Sequence, residues 1–191
     1  MSLARLPAAS LFALVLLALP AQAGGTRLGV AYLQEAEVQR DLGSARTSPG
    51  LQLTWDVPLV GGLGHELLAA VSVGGYRAGL EPLNLLGDAL LGYRFTLALG
   101  LFFDVRAGAS YLHAFEGGSE SARTVAQEGL AAVRSRQLAA CGALGLGWDL
   151  DRISPLPFSF FARVTGYGRR AGAGAPLPQV TSQAGLALHF G

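Results

Sequence analysis

The chain has 191 residues, a formal net charge of +1, a hydrophobic content of 51% and only 14% charged residues. That balance provides no basic field for nucleic acid, and a single cysteine excludes an internal disulfide framework. The apolar content points to a membrane, yet residues such as Asp56, Arg77, Asp88, Arg94, Asp104 and Arg163 interrupt nearly every apolar run beyond the first twenty residues, which excludes spanning helices.

The first 23 residues read as a leader. Arg5 gives a positive start, Leu11 to Leu19 an apolar core too short to span a bilayer, and Ala21-Gln22-Ala23 a small-x-small cleavage site. A signal peptide is predicted over 1–23, with one exported domain over 24–191 starting at Gly24.

From there the chain alternates with period two, which places successive side chains on opposite faces of a strand. Strand 1, over 26–34, sets Leu28, Val30 and Tyr32 on one face. The charged stretch 35–50, ending in Ser48-Pro49-Gly50, reads as a long loop. Strand 2, over 51–57, alternates Leu51, Leu53, Trp55 and Val57 against Gln52, Thr54 and Asp56, and 58–64 turns the chain. Strand 3, over 66–77, carries Leu67, Ala69, Val71 and Val73 on its apolar face, with Gly74-Gly75 as a candidate bulge. A loop around 78–86 leads into a hairpin that turns at Ala98-Leu99-Gly100. Its arms set Leu91, Tyr93, Phe95, Phe103, Val105 and Tyr111 against Asp88, Arg94, Asp104, Arg106 and Ser110. The longest loop follows, over 116–135, with a short-helix candidate in 121–134. Strand 6 spans 137–149, a turn 151–157, strand 7 158–168, a Gly/Ala/Pro loop 169–178 and strand 8 179–190.

Eight strands are predicted, with long polar connections after strands 1, 3, 5 and 7 and shorter ones after 2, 4 and 6. An all-β, eight-stranded antiparallel up-and-down transmembrane β-barrel shows this asymmetry, with brief periplasmic turns and long extracellular loops. A soluble lipocalin-like barrel is the competing reading. Its exterior would be rich in Lys and Glu, whereas the polar faces here are Gly, Ala, Ser, Thr and Gln, which suit a crowded interior.

The whole of 24–191 resembles the small outer-membrane barrels of the OmpA/OmpX type, through strand count, loop asymmetry, leader and a last strand ending in Phe190. OmpW-like barrels are a second similarity. In that superfamily a terminal aromatic helps the barrel-assembly machinery recognise its substrate; here Gly191 follows Phe190. The resemblance implies an outer-membrane location, outer-membrane lipid as surroundings, and the assembly machinery as a partner during biogenesis.

Two residue sets are singled out. Trp55, Phe95, Phe103, Trp148, Phe158 and Phe190 fall at the expected periplasmic end as an aromatic girdle. With the hairpin centred on Leu99, Arg94 and Asp104 lie opposite each other on the inward face. Buried charges must pair, so an interior salt bridge is expected, extended by Arg106, Asp56 and Arg163.

Little here suggests chemistry. His65 falls at a turn and reads as solvated, and His189 reads as an interior histidine with satisfied partners. His113 is the candidate worth weighing, because lipid-modifying outer-membrane enzymes keep His, Ser and a carboxylate near that rim. Ser110, three residues away, lies on the other face, and only the loop residues Ser119, Ser121, Glu116 and Glu120 remain to complete a site. An interfacial anchor is the preferred reading of His113. Cys141 reads as a buried small side chain. The expected function is therefore a monomeric outer-membrane barrel of structural or interaction type, with a polar lumen filled by side chains and an extracellular partner reached through loop 116–135. No catalytic residue, cofactor or metal is assigned. A narrow OmpW-like channel or carrier for a small apolar ligand and a lipid acyl hydrolase or transferase are the alternatives.

Overall fold

Branched and aromatic residues at every second position, with Gly, Ser, Thr and Gln between them, commit this chain to strands. The computed structural model describes residues 25–37, 46–77, 83–114, 136–168 and 180–190. Its strands are β1 (Thr26–Glu37), β2 (Arg46–Gly62), β3 (His65–Tyr76), β4 (Asn84–Thr96), β5 (Leu101–Ala114), β6 (Arg136–Asp149), β7 (Phe158–Tyr167) and β8 (Val180–Phe190). Each pairs antiparallel with its sequence neighbour, and β1 returns to β8, from Thr26 opposite Phe190 to Ala36 opposite Val180. The eight-stranded up-and-down barrel read from the sequence is the observed architecture. Closure leaves no unpaired edge, the condition for strands in lipid.

The connections after β2, β4 and β6, the start of β1 and the end of β8 lie together at one end, the turn end. The first is the two-residue turn Leu63-Gly64, in which both residues have positive φ, 52° and 85°. That backbone is the twist-matched hairpin turn that glycine fits at its second position. At the second, Gly100 N–H donates to the Leu97 carbonyl at 2.9 Å. The third holds the 3-10 turn Leu150–Arg152. The other four connections leave from the opposite end, the loop end.

Several boundaries differ from the sequence reading. The expected loop over 35–50 is largely ladder: pairing continues from Leu33 opposite Gly50 to Glu37 opposite Arg46. Charges there end the apolar alternation but not the backbone pairing, which polar residues tolerate where a strand leaves lipid. Pro49 sits within β2, and its carbonyl accepts the Arg77 N–H at 3.3 Å. β2 also runs on to Gly62 and interrupts its register between Pro58 and Val60, because proline has no N–H for the ladder. The bulge is therefore there and not at Gly74-Gly75, which pair in unbroken register with Gln52 and Leu51. His65 opens β3 instead of lying in the turn. The expected leader 1–23, the loop 116–135 with its helix candidate, and Gly191 lie outside the described residues.

The apolar face points outward. Leu51, Leu53, Leu91, Val105, Leu144 and Phe160 are among many large hydrophobic residues exposed on the wall. Water does not support so continuous an apolar exterior, and it is the surface of a bilayer-spanning barrel. Inward side chains fill the lumen, as eight strands require.

Candidate functional site

The lumen is the candidate site, and its turn-ward half is built around Arg106. This residue is on β5, opposite Gly92 of β4, whose missing side chain leaves room for the guanidinium to cross the barrel. Arg106 grips two carboxylates at once. Its Nη1 and Nη2 donate to Asp56 Oδ1 and Oδ2 at 2.6 and 2.7 Å, and its Nε and Nη2 donate to Asp104 Oδ1 and Oδ2 at 3.1 and 2.8 Å. Such fork-on-carboxylate geometry is the strong form of a charged hydrogen bond, and only arginine provides it. Gly145 faces Asp104 across β5 and β6, where any Cβ would strike the carboxylate.

Arg94 and Asp104 do lie opposite each other in register, as the hairpin symmetry requires. Their contact is nevertheless the looser one: Arg94 Nη2 is 3.4 Å from Asp104 Oδ2 and 3.3 Å from Asp56 Oδ2. Arg94 instead lies over Phe102, its Cζ 4.0 Å from the ring centroid. Arg163 Nη2 completes the group 3.5 Å from Asp104 Oδ2, with Phe161 beneath its guanidinium. The structure thus brings all five residues of the expected network together, with Arg106 and not Arg94 as the hub. Asp149 joins from β6, its Oδ1 4.0 Å from Arg94 Nη1.

A second layer lies toward the loop end around Asp88. Asp88 is buried and accepts from Ser110 Oγ at 2.6 Å, Ser72 Oγ at 2.8 Å and Gln52 Nε2 at 3.0 Å. Around it Leu33, Leu86, Leu90, Leu112, Cys141 and Tyr167 pack as an apolar cluster. The lumen is filled by side chains, with ion pairs dominating its turn-ward half and hydrogen-bonded polar groups packed among apolar side chains in its loop-ward half. Cys141 is buried in this cluster.

At the turn end, His189 of β8 is held on both nitrogens. Nδ1 lies 2.8 Å from Asp151 Oδ2 and Nε2 lies 3.1 Å from Ser159 Oγ. The order Ser-His-Asp resembles a nucleophile chain, but Ser159 is 1% exposed and Asp149 Oδ1 stands 3.7 Å from Nε2. A nucleophile needs an approach for substrate, and a carboxylate at that distance would repel a developing oxyanion. Arg27 and Glu66 form a further pair at 2.9 Å across the mouth of a vestibule of about 1080 Å³.

Of the expected girdle residues, Phe95, Phe103, Trp148, Phe158 and Phe190 lie on the outer wall within two residues of a strand terminus at the turn end, whereas Trp55 sits at mid-strand in β2, level by register with Val71 of β3 and Ala89 of β4. Phe95 and Phe103 face each other across β4 and β5, Trp148 is opposite Phe160, and Phe158 and Phe190 cap β7 and β8. Trp55 aligns with Leu28, Leu188 and Phe158 along one row of the ladder. His65 is exposed there, hydrogen-bonded to the Tyr93 hydroxyl and 4.9 Å from the Phe95 ring. His113 is half-buried near the loop end, opposite Leu85 and Arg136, while Ser110 is turned inward to Asp88. The other residues weighed with His113 (Glu116, Ser119, Glu120 and Ser121) lie outside the described residues.

Among solved structures, the outer membrane protein OprG from Pseudomonas aeruginosa superposes with a TM-score of 0.55 at 15% identity, over 88% of this chain and 97% of that one. The fold is that of a small outer-membrane barrel. The N-terminal barrel domain of Pseudomonas aeruginosa OprF gives 0.52 at 17% identity, over 88% of this chain and all of that domain. Ail of Yersinia pestis, in complex with the heparin analogue sucrose octasulfate, gives 0.53 at 16% identity, over 88% of this chain and all of that one. No protein-family model and no curated protein matches the sequence. Identities this low speak for the barrel alone, so function has to be argued from the site.

The interior missed in the sequence reading was partly within reach. The hairpin centre that opposes Arg94 and Asp104 also opposes Asp88 and Ser110. Ser72 and Gln52 needed the β2–β3 register, which the bulge after Pro58 shifts. The meeting of His189 with Asp151 and Ser159 depends on where an irregular turn sits, and no periodicity encodes that.

Proposed function

We propose that this chain is an outer-membrane barrel of structural or interaction type, a closed scaffold that presents loops at its outer end and conducts little or nothing through its lumen. The observation that carries this reading is the Arg106 cluster, which places three guanidiniums and two carboxylates across an eight-stranded lumen with Phe102 and Phe161 packed against them. A passage for a solute would have to dismantle those pairs, at a cost of several kcal/mol for each uncompensated charge. The aromatic girdle marks the periplasmic interface and anchors the barrel at that level.

The longest loop, 116–135, is the proposed contact with a partner outside the cell; one barrel of this fold, Ail, is known in complex with a heparin analogue. The test has two parts. Unheated and boiled samples in detergent should migrate differently, because a closed barrel resists unfolding, and identical mobility would contradict the barrel in lipid. An epitope placed at Gln127 should be reached by antibody on intact cells, whereas labelling only after lysis would invert the topology.

A further inference from the structure

The turns at the periplasmic end are unusual in what they expose. Tight turns are ordinarily built from Gly, Asn, Asp and Ser. Here every one of the three carries bare aliphatic side chains: Val60 and Leu63 at the first, Leu97 and Leu99 at the second, Ile153 and Leu156 at the third, all exposed. Leu63 is fully exposed and also sits at φ 52°, in the left-handed region that residues with a side chain rarely adopt. The hairpin turn accounts for the backbone of Leu63, but nothing within the barrel covers its side chain.

We propose that this rim is a second lipid-contacting surface, sunk into the headgroup layer of the periplasmic leaflet, so that the barrel does not project its turns into the periplasm. The inference rests on the membrane-spanning reading above and goes beyond the girdle. The rim continues the lipid-facing wall without a break. Leu63 lies two residues from His65, which packs on Phe95; Leu97 lies two residues beyond Phe95; Leu156 lies two residues before Phe158. The indole of Trp148 holds the middle turn directly, its Nε1 donating to the Leu99 carbonyl at 2.6 Å. At ~3.3 Å per strand residue, shortened further by strand tilt, two residues carry Leu63, Leu97 and Leu156 only a few ångströms past the girdle. Leu99 and Ile153, four and five residues from it along the chain, lie where the turns fold back, Leu99 held there by Trp148. The headgroup layer is about 5–8 Å deep on each side of the hydrocarbon, so the rim fits within it.

Charge agrees with this. The acidic groups of the mouth have partners within the barrel: Glu66 is paired with Arg27, and Asp151 shares a hydrogen bond with His189. Arg152, exposed between Asp151 and Ile153, has no ion-pair partner among the described residues and is left to meet lipid phosphate. A periplasmic protein is the competing occupant. The unbroken run from girdle to rim favours lipid.

Single cysteines at Leu63, Leu99 and Ile153, in a Cys141→Ala background, would each carry an environment-sensitive fluorophore in lipid nanodiscs, whose two faces are both open to solvent. A fourth cysteine at Leu144, on the wall, is the control. The expected result is blue-shifted emission and loss of iodide quenching at all four positions, with quenching by shallow spin-labelled lipid at the three rim sites. Iodide quenching at the rim equal to that of free dye, with Leu144 still protected, would overturn the lipid rim and leave the membrane barrel standing. Iodide quenching at Leu144 as well would overturn both.

Discussion

The two halves of the lumen solve one problem in different ways. Toward the turn end, Arg106 and its neighbours fill the space with charge, and each side chain depends on oppositely charged groups from other strands. Toward the loop end, Asp88 is surrounded by neutral donors and by leucine, so its layer is held by hydrogen bonds and packing. The contrast teaches where the barrel is brittle. A charge pair in a low-dielectric interior loses most when one partner is removed. A neutral donor cluster degrades by single hydrogen bonds, and an apolar layer by the cavity left behind.

The largest effect should come from the hub. Arg106→Ala leaves Asp56 and Asp104 with only the looser Arg94 and Arg163, and should cost about 3–5 kcal/mol in urea unfolding from lipid vesicles. A cost under about 1 kcal/mol would mean that water already solvates the cluster and that the halves do not differ. Leu90→Ala, in the loop-ward half, should cost about 2–5 kcal/mol in the same assay through cavity formation. Its cost should be independent of Arg106→Ala to within about 0.5 kcal/mol if the halves act separately.

Arg94→Ala sharpens the comparison inside the charged half. Its contacts are longer and its ring partner Phe102 remains, so about 1.5–3 kcal/mol is expected, less than for Arg106. Equal costs would restore Arg94 as the central partner of Asp104. Asp88→Asn is the smallest change, about 1 kcal/mol, because the amide oxygen can keep the Ser72 and Gln52 donors while its NH2 donates to Ser110 Oγ, whose hydroxyl turns from donor to acceptor. An effect as large as that of Arg106→Ala would show that the loop-ward layer depends on the negative charge of Asp88.

Much of this could be read before any coordinates. Strict alternation in 88–111 encodes both strands and their faces, and the symmetry of the turn at Leu99 encodes the register that brings Arg94 to Asp104. Reach across the lumen was not encoded in the same way. Arg106 wins because Gly92 faces it and Asp56 arrives from β2, two strands further round the barrel. Strand ends were legible only where lipid imposes alternation, so Glu35, Ser48 and Pro49 read as loop although their backbones are paired. The shift at Pro58 and the seat of Asp151 against His189 arise from irregular backbone, which leaves no periodic trace.

Conductance tests the filled lumen most directly. Ion current across planar bilayers would be compared for the wild-type chain and for a variant combining Asp56→Ala, Asp104→Ala and Arg106→Ala, with folding of both checked by electrophoretic shift. The wild type should show no stepwise conductance, and conductance should appear in the folded triple variant only when Leu33→Ala, Leu90→Ala and Leu112→Ala are added to it, because the loop-ward layer fills its own half of the lumen. Steady conductance in the wild type, or its appearance in the triple variant with the loop-ward layer intact, would contradict the account, since the two halves would then not both close the barrel.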